Sequence, residues 1–300
     1  MNPTLNLKTP DAAPVYTPIS SKPVLMSGIL FETIRKYIYE SCGIYFQDNK
    51  KYFLESRLQR RMNFLGLKRF EEYYDLIRYG TAGAAERKYF FEAITINETF
   101  FFRNQPQLDV LASQILPELI AVKSAMGRNK IRIWSAASSS GEEAYSIAMI
   151  FQDLIKPRYP NVELEVVGTD INSAVIETAM GGVYRDYSVR NTPPYYLKKY
   201  FKQNGATYEI LPETKKMANF KLMNLYDDSM MKTMYNFDVI FCANVLIYFD
   251  QASKIKVISN LYNSLNKGGY LFIGYSETLH GISKAFKLLS YPNTVGYKKE

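Results

Sequence analysis

The apolar pattern changes character near Lys130, and that change restricts the fold more than any other feature of the chain. Beyond it, short apolar segments at Ile131–Ser135, Glu163–Gly168, Phe237–Cys242 and Tyr270–Gly274 alternate with helix-like stretches at Glu142–Ile155, Ser173–Met180 and Gln251–Leu265. Such alternation predicts a doubly wound α/β domain with a mainly parallel sheet. Gly268-Gly269 makes the turn into the last of these strands, and Thr294–Lys298 reads as an edge strand. Between Gly182 and Met223 the alternation lapses. Short segments at Thr207–Leu211 and Asn219–Leu222 predict a small antiparallel insertion at about 183–223.

Upstream, nothing alternates like a strand. Residues from Gly28 to about Ile96 read as helices at Ile29–Ser41, Asn49–Phe64, Phe70–Arg78 and Ala84–Ile96. The second carries an apolar stripe at Leu54, Leu58, Met62 and Leu65, with Asp48 as cap and Gly66 as stop. Met1 to Met26 is rich in Pro, Thr, Ser and Ala without periodicity, which predicts a flexible tail. The expected division is therefore a tail at 1–26, a helical domain at 27–96, a linker and connecting helix at 97–129, and an α/β domain at 130–300.

Composition removes several chemistries. No apolar run approaches the roughly 20 residues that span a membrane, and no secretory leader is visible, so a cytosolic protein is expected. Cys42 and Cys242 sit far apart in apolar contexts, as reduced buried thiols do, and His280 is the only histidine. A Ser-His-Asp triad or a histidine metal site is poorly supported. The formal charge of +8 favours an acidic partner. Much of it lies between Lys50 and Arg69, where Lys50, Lys51, Arg57, Arg60, Arg61, Lys68 and Arg69 face only Glu55, giving 7 − 1 = +6.

Three strand ends carry groups suited to one ligand crevice. Ile131-Arg-Ile-Trp-Ser-Ala-Ala-Ser-Ser-Ser-Gly-Glu-Glu-Ala-Tyr-Ser146 runs from a strand through small residues into a helix, the turn where nucleoside cofactors lie in such sheets. A capping box of Ser139 with Glu142, or Ser140 with Glu143, is the plainer reading. The turn has neither a Gly-x-Gly-x-x-Gly pattern nor a phosphate-cradling lysine, which disfavours a P-loop. Asp170 ends the next strand about 30 residues on, a spacing that suits ribose hydroxyls, or else caps the helix that follows. Asn244 and Tyr248 follow the strand at Phe237–Cys242; the alternatives are a turn residue and a packing aromatic. Just ahead of the α/β region, three aromatics precede Arg103, whose guanidinium suits a fork-like contact with a carboxylate.

These residues together resemble the CheR chemotaxis receptor methyltransferases. The resemblance rests on Asn97-Glu-Thr-Phe-Phe-Phe-Arg103, Ile133-Trp-Ser-Ala through Gly141-Glu-Glu, Thr169-Asp-Ile171, Asn224-Leu225, Phe241-Cys through Asn244-Val-Leu-Ile-Tyr-Phe-Asp250, and Gly274-Tyr-Ser-Glu277, in the family's order. It implies an all-helical domain followed by a Rossmann-like S-adenosyl-L-methionine-dependent methyltransferase domain with a small antiparallel β insertion. Asn97, Thr99 and Arg103 would reach the methionine end of the cofactor and the acceptor. Glu142 and Asp170 would hold its amino-acid part and ribose, while Asn224, Leu225, Ala243 and Asn244 would line the adenosyl pocket. Tyr248 would stand beside the transferring methyl, sharing the catalytic work with Arg103. Three departures stand out: Ala137-Ser-Ser-Ser-Gly141 for the family's Gly-Cys-Ser-Thr-Gly, Ala144 for a proline, and Ala243 for an arginine.

The implied reaction is methyl esterification of glutamate side chains on methyl-accepting chemotaxis receptors, with S-adenosyl-L-homocysteine as product and no metal. Lys50, Lys51, Arg57, Arg60 and Arg61 would dock the acidic receptor coiled coil. A cytoplasmic monomer is expected, with no nucleic acid and no membrane insertion. Other readings are the same fold acting on another acceptor, and a signalling adaptor that binds cofactor or receptor without turnover.

Overall fold

The computed structural model describes residues 25–300. Most of the expected tail thus lies outside the described residues. Its last residue does not behave as tail: Met26 is buried, and its N–H donates to Glu55 Oε1 at 2.8 Å.

Four helices build the first lobe: α1 (Gly28–Cys42), α2 (Lys51–Leu65), α3 (Phe70–Arg78) and α4 (Gly80–Ile94). Ser27 caps α1 by accepting the Leu30 N–H, and the left-handed Gly43 and Gly66 end α1 and α2. Asp48 does not cap α2. It lies in a preceding 3-10 turn and pairs with Arg35, while the α2 cap position falls to Lys50 with no side-chain bond. Each helix turns an apolar stripe inward: Leu30, Phe31, Ile34 and Ile38 from α1, Leu54, Leu58 and Met62 from α2, Phe70, Tyr73 and Ile77 from α3, Phe90 and Ile94 from α4. Burying each such side chain contributes on the order of 2 kcal/mol. At the edge of this core Glu86 accepts Arg61 Nε and Nη2 at 2.6 and 2.8 Å and the Tyr73 hydroxyl at 3.0 Å.

Residues 95–104 lead into α5 (Gln105–Val110) and, through a π turn, α6 (Leu116–Ala125). The α/β part follows as β1 (Lys130–Ala136), α7 (Glu142–Ile150), β2 (Glu163–Asp170), α8 (Ser173–Gly181), β3 (Val183–Arg185), α9 (Asp186–Val189), α10 (Pro194–Tyr200), β4 (Phe201–Asn204), β5 (Thr207–Ile210), α11 (Pro212–Lys215), β6 (Ala218–Leu222), α12 (Asp228–Met231), β7 (Phe237–Cys242), α13 (Gln251–Ser264), β8 (Leu265–Ile273), β9 (Phe286–Tyr291) and β10 (Thr294–Lys299).

The main sheet runs β6-β2-β1-β7-β8-β10-β9, parallel from β6 to β8 and antiparallel at β10 and β9. Alternate side chains of β1 and β7 feed two cores, Ile131, Ile133, Val239 and Phe241 on one face, Trp134 and Ile240 on the other. Every residue of β7 is buried, as a central parallel strand covered on both faces requires. The α/β class and the small antiparallel sheet expected from the sequence are both present, the latter ordered β3-β5-β4.

One assignment is corrected. Asn219–Leu222 is not antiparallel; it belongs to β6, which pairs in parallel with β2 from Val166↔Ala218 to Asp170↔Leu222. The cause is a close approach. A Cβ on Gly168 would lie 2.5 Å from the Phe220 ring, so the missing side chain on β2 is what seats β6 beside it. Strand β9 was not foreseen; its exposed Lys287, Leu288 and Ser290 give no strong apolar signal. Among the described residues no helix is long and apolar enough to cross a membrane.

Removing one partner of a buried charge pair leaves the other uncompensated, at a cost of about 3 to 5 kcal/mol. Glu86→Ala should therefore lower the urea-unfolding free energy of the helical lobe by about that amount. Tyr73→Phe, which removes one hydrogen bond, should cost about 1 kcal/mol.

Candidate active site

A crevice opens where β1, β2 and β7 end, at the point where the strand order reverses on the two sides of β1. The turn after β1 is built by three positive φ angles, at Ala137 (65°), Ser139 (49°) and Gly141 (91°). Gly141 is the cap residue of α7 and no side chain caps the helix, so the capping box does not form. The backbone instead bonds across to β2: Ser138 N–H donates to Thr169 O at 2.7 Å, and Ser139 N–H donates to Asp170 Oδ2 at 2.9 Å. Ser138 Oγ is buried in the crevice wall and has no hydrogen-bond partner among the described residues.

Asp170 also accepts the Asn172 N–H, at 3.0 Å, and it is Asn172 that caps α8. Burial pushes the Asp170 carboxyl up, and the backbone N–H bonds oppose it. Of the two glutamates that open α7, the structure turns the expected one away. Glu142 accepts Ser140 Oγ and Ser188 Oγ toward the antiparallel sheet and does not line the crevice. Glu143 does, with its Oε1 accepting the Ser135 hydroxyl at 2.7 Å. Consecutive helix positions point about 100° apart, so a motif with two adjacent glutamates cannot say which faces inward until the helix is docked. Burial pushes Glu143 up to about 7, against the pull of the Ser135 bond and the Arg103 charge.

The segment before α5 forms one wall of the crevice. Phe101 is fully buried, edge-on to Tyr184 and Phe201, and Phe102 packs on Tyr196. Both aromatics belong to the core, Phe102 also reaching the crevice wall, and they anchor neighbours that are not core: Asn97, Thr99 and Arg103 all line the crevice. Asn97 O accepts Ser139 Oγ at 3.2 Å, and Arg103 Nη1 donates to Glu98 O at 2.7 Å while its guanidinium remains exposed. Arg103 is the only Lys or Arg among the described lining residues, because Ala243 occupies the place where an arginine was expected.

From the other side come Asn224, Leu225, Ala243, Asn244 and Tyr248. Asn224 Nδ2 donates to Ser41 O at 2.7 Å, and Tyr45 N–H donates to Tyr248 O at 2.9 Å, so the helical lobe is bonded directly to the crevice. Cys42, Ile44 and Phe46 of that lobe add an apolar wall absent from the sequence expectations, which read Cys42 as a buried thiol and gave Ile44 and Phe46 no role. Tyr248 is half-buried, and burial raises its phenol while Arg103 opposes.

The cations expected to meet a receptor, Lys50, Lys51, Arg57, Arg60 and Arg61, form no part of the crevice. Lys50 and Arg60 are exposed, Arg57 lies over the Phe53 ring at 4.9 Å, and Lys51 pairs with Glu55 at 3.7 Å. Arg61 departs from the expectation: it is committed to Glu86 and packed at 3.9 Å on the Tyr89 ring, which makes it a structural residue. Cys42 and Cys242 are free and buried, and among the described residues no cluster of three or more His, Cys, Asp or Glu could hold a metal ion.

Comparison with known proteins assigns both lobes. Residues 29–95 match the family model "CheR methyltransferase, all-alpha domain", and residues 97–295 match "CheR methyltransferase, SAM binding domain". Chemotaxis protein methyltransferase 2 of Vibrio cholerae is 33% identical over 92% of this chain and 94% of its own length. The chemotaxis protein methyltransferase of Borreliella burgdorferi is 35% identical over 88% of this chain and 92% of its own. That of Vibrio parahaemolyticus is 35% identical over 92% of this chain and 98% of its own. The crevice fits S-adenosyl-L-methionine on its own residues: an orphaned Ser138 hydroxyl, the carboxylates Glu143 and Asp170, and the apolar wall around Ile44, Phe46 and Leu225.

The raised Glu143 carboxyl links stability to pH. Its proton is held to about 7 in the folded state, against an ordinary 4.5 when unfolded. The resulting stabilisation is full below the unfolded value and is lost as pH rises through the folded one. In urea unfolding of the cofactor-free protein, Glu143→Gln should therefore show a smaller fall in stability between about pH 5 and about pH 8 than the wild type.

Proposed function

The chain belongs to the CheR methyltransferase family, and on that premise we propose that it transfers a methyl group from S-adenosyl-L-methionine to glutamate side chains of methyl-accepting chemotaxis receptors. The product is a glutamate methyl ester. The observation that carries this reading is a lone cation at a largely apolar crevice: among the described lining residues only Arg103 is basic, and it stands exposed in a wall otherwise made of apolar, small, amide and carboxylate groups.

When bound, the cofactor supplies an electrophilic methyl carbon on a sulfonium. A glutamate acceptor is already ionised near pH 7, so the protein needs no general base and its task is alignment. Arg103 would hold one oxygen of the incoming carboxylate and leave the other free, a role supported by its being the only Lys or Arg among the described lining residues. Tyr248, its phenol kept protonated by burial, shapes the space beside the reacting carbon. Glu143, which burial raises to about 7, would carry its charge opposite the ammonium of the methionine end, and Asp170 would accept from ribose hydroxyls with the lone pairs that Ser139 and Asn172 leave. Asn97, Thr99, Asn224, Leu225 and Asn244, which line the same crevice, would complete the cofactor contacts.

In the same reading, the basic residues in and just before α2 meet the receptor. Lys50, Arg57 and Arg60 have no ion-pair partner among the described residues and are free to steer an acidic helix, with Lys51 assisting and Arg61 excluded by Glu86. The protein acts as a cytoplasmic monomer in this reading.

Tritium transfer from labelled cofactor to receptor fragments tests the assignment, with methanol release in base distinguishing a carboxyl ester from other methyl products. Arg103→Ala should lower kcat/KM by about 10- to 100-fold, the worth of a charged hydrogen bond, with the fold intact. A near wild-type rate would remove Arg103 from the mechanism. Methylation should also slow steeply as salt rises from about 50 to about 300 mM, and the slope should flatten in Arg57→Ala/Arg60→Ala.

A further inference from the structure

Glu277 lines no part of the crevice, yet it holds the loop from which two of the wall residues project. The parallel ladder of β7 and β8 ends at Cys242↔Ile273. Just beyond it, the N–H groups of Asn244, two residues past Cys242, and Gly274, one past Ile273, are taken by a side chain and not by the ladder. Both donate to Glu277 Oε2, at 3.0 and 2.6 Å, and Ile247 N–H donates to Oε1 at 3.2 Å. A tight turn brings the carboxylate back to this place, closed by Glu277 N–H to Gly274 O at 2.9 Å.

The spacing admits little else. A Cβ on Gly274 would lie 2.6 Å from Glu277 Oε2 and 2.8 Å from Asn244 N, so the strand end must be glycine for the carboxylate to reach across. Asn244 is held at a φ of 62°, a left-handed conformation that costs a side-chain-bearing residue about 1 kcal/mol and needs support from its surroundings. The bond to its own N–H supplies that support, and the bond to Ile247 N–H fixes the residue next to Tyr248.

We propose that Glu277 is a positioning residue for methyl transfer. One carboxylate continues the sheet beyond its last rung, its Oε2 setting Asn244 toward the adenosyl pocket and its Oε1 setting the Ile247-Tyr248 pair toward the reacting carbon. The inference rests on the reading of Asn244 and Tyr248 given above, and it assigns Glu277 no contact with cofactor or acceptor.

The two oxygens make the test. Glu277→Gln keeps one carbonyl oxygen to accept from Asn244 and Gly274 but opposes the Ile247 N–H with an amide donor. Glu277→Ala loses all three bonds. With calorimetry of S-adenosyl-L-homocysteine, receptor-methylation kinetics and amide exchange on the full chain, Glu277→Gln should keep product Kd within about threefold of wild type while kcat falls about tenfold. Glu277→Ala should weaken Kd about tenfold and lower kcat at least as much, with faster exchange at Asn244 and Ile247 in the cofactor-free protein. Unchanged Kd, kcat and exchange in Glu277→Ala would overturn the proposal alone. Losses in both variants that merely track a shared fall in Tm would also overturn it, since a general structural role does not separate Kd from kcat. A wild-type protein that takes up no product would remove the reading of the crevice, and this proposal with it.

Discussion

Everything in the site follows from the parallel pairing of β1 with β2 on one side and β7 on the other. Two parallel neighbours send their connections away over opposite faces, so the backbone leaves an opening at the carboxyl ends that no crossover can fill. Into that opening the chain delivers, from three separate strand tips, Ser138 and Glu143, then Asp170, then Asn244 and Tyr248. The interaction that shapes the opening is equally specific: the β1 turn is tied to β2 through Thr169 O and the Asp170 carboxylate. Asp170 is thus a structural acceptor and a crevice-lining group at once.

The helical lobe is a wall of the crevice. Bonds from Asn224 to Ser41 and from Tyr45 to Tyr248 cross the lobe boundary, as do Tyr39 with Asp250 and Lys88 with Glu177. Phe46 lines the crevice and stacks on Phe53 of α2, over which Arg57 rests. The surface that carries the basic residues is therefore packed, through two aromatic rings, onto the crevice itself.

Four carboxylates near the strand ends have four different uses, decided by what each touches. Glu142 is consumed by two serine hydroxyls, Glu143 faces the crevice with a raised affinity for its proton, Asp170 accepts backbone N–H groups, and Glu277 bridges two strand ends. In the sequence they are indistinguishable acids. Their neighbours in space, often more than thirty residues away along the chain, separate them.

The sequence alone determined the α/β class, the helical first lobe, the order of the motifs and the crevice at the ends of β1, β2 and β7, because these depend on local periodicity and on residue types at strand tips. Phe70–Arg78 is a helix over the expected bounds, and Phe237–Cys242 a strand. Only the tertiary structure decided which adjacent glutamate faces inward, that Arg61 is spent on Glu86, that β6 lies parallel beside β2, and that Cys42, Ile44 and Phe46 close the pocket. The physical reason is common to all four. Each is settled by a contact between residues distant in sequence, a close approach at Gly168 or a buried ion pair or a lobe-to-lobe bond, and no local pattern of hydrophobicity or charge records the partner.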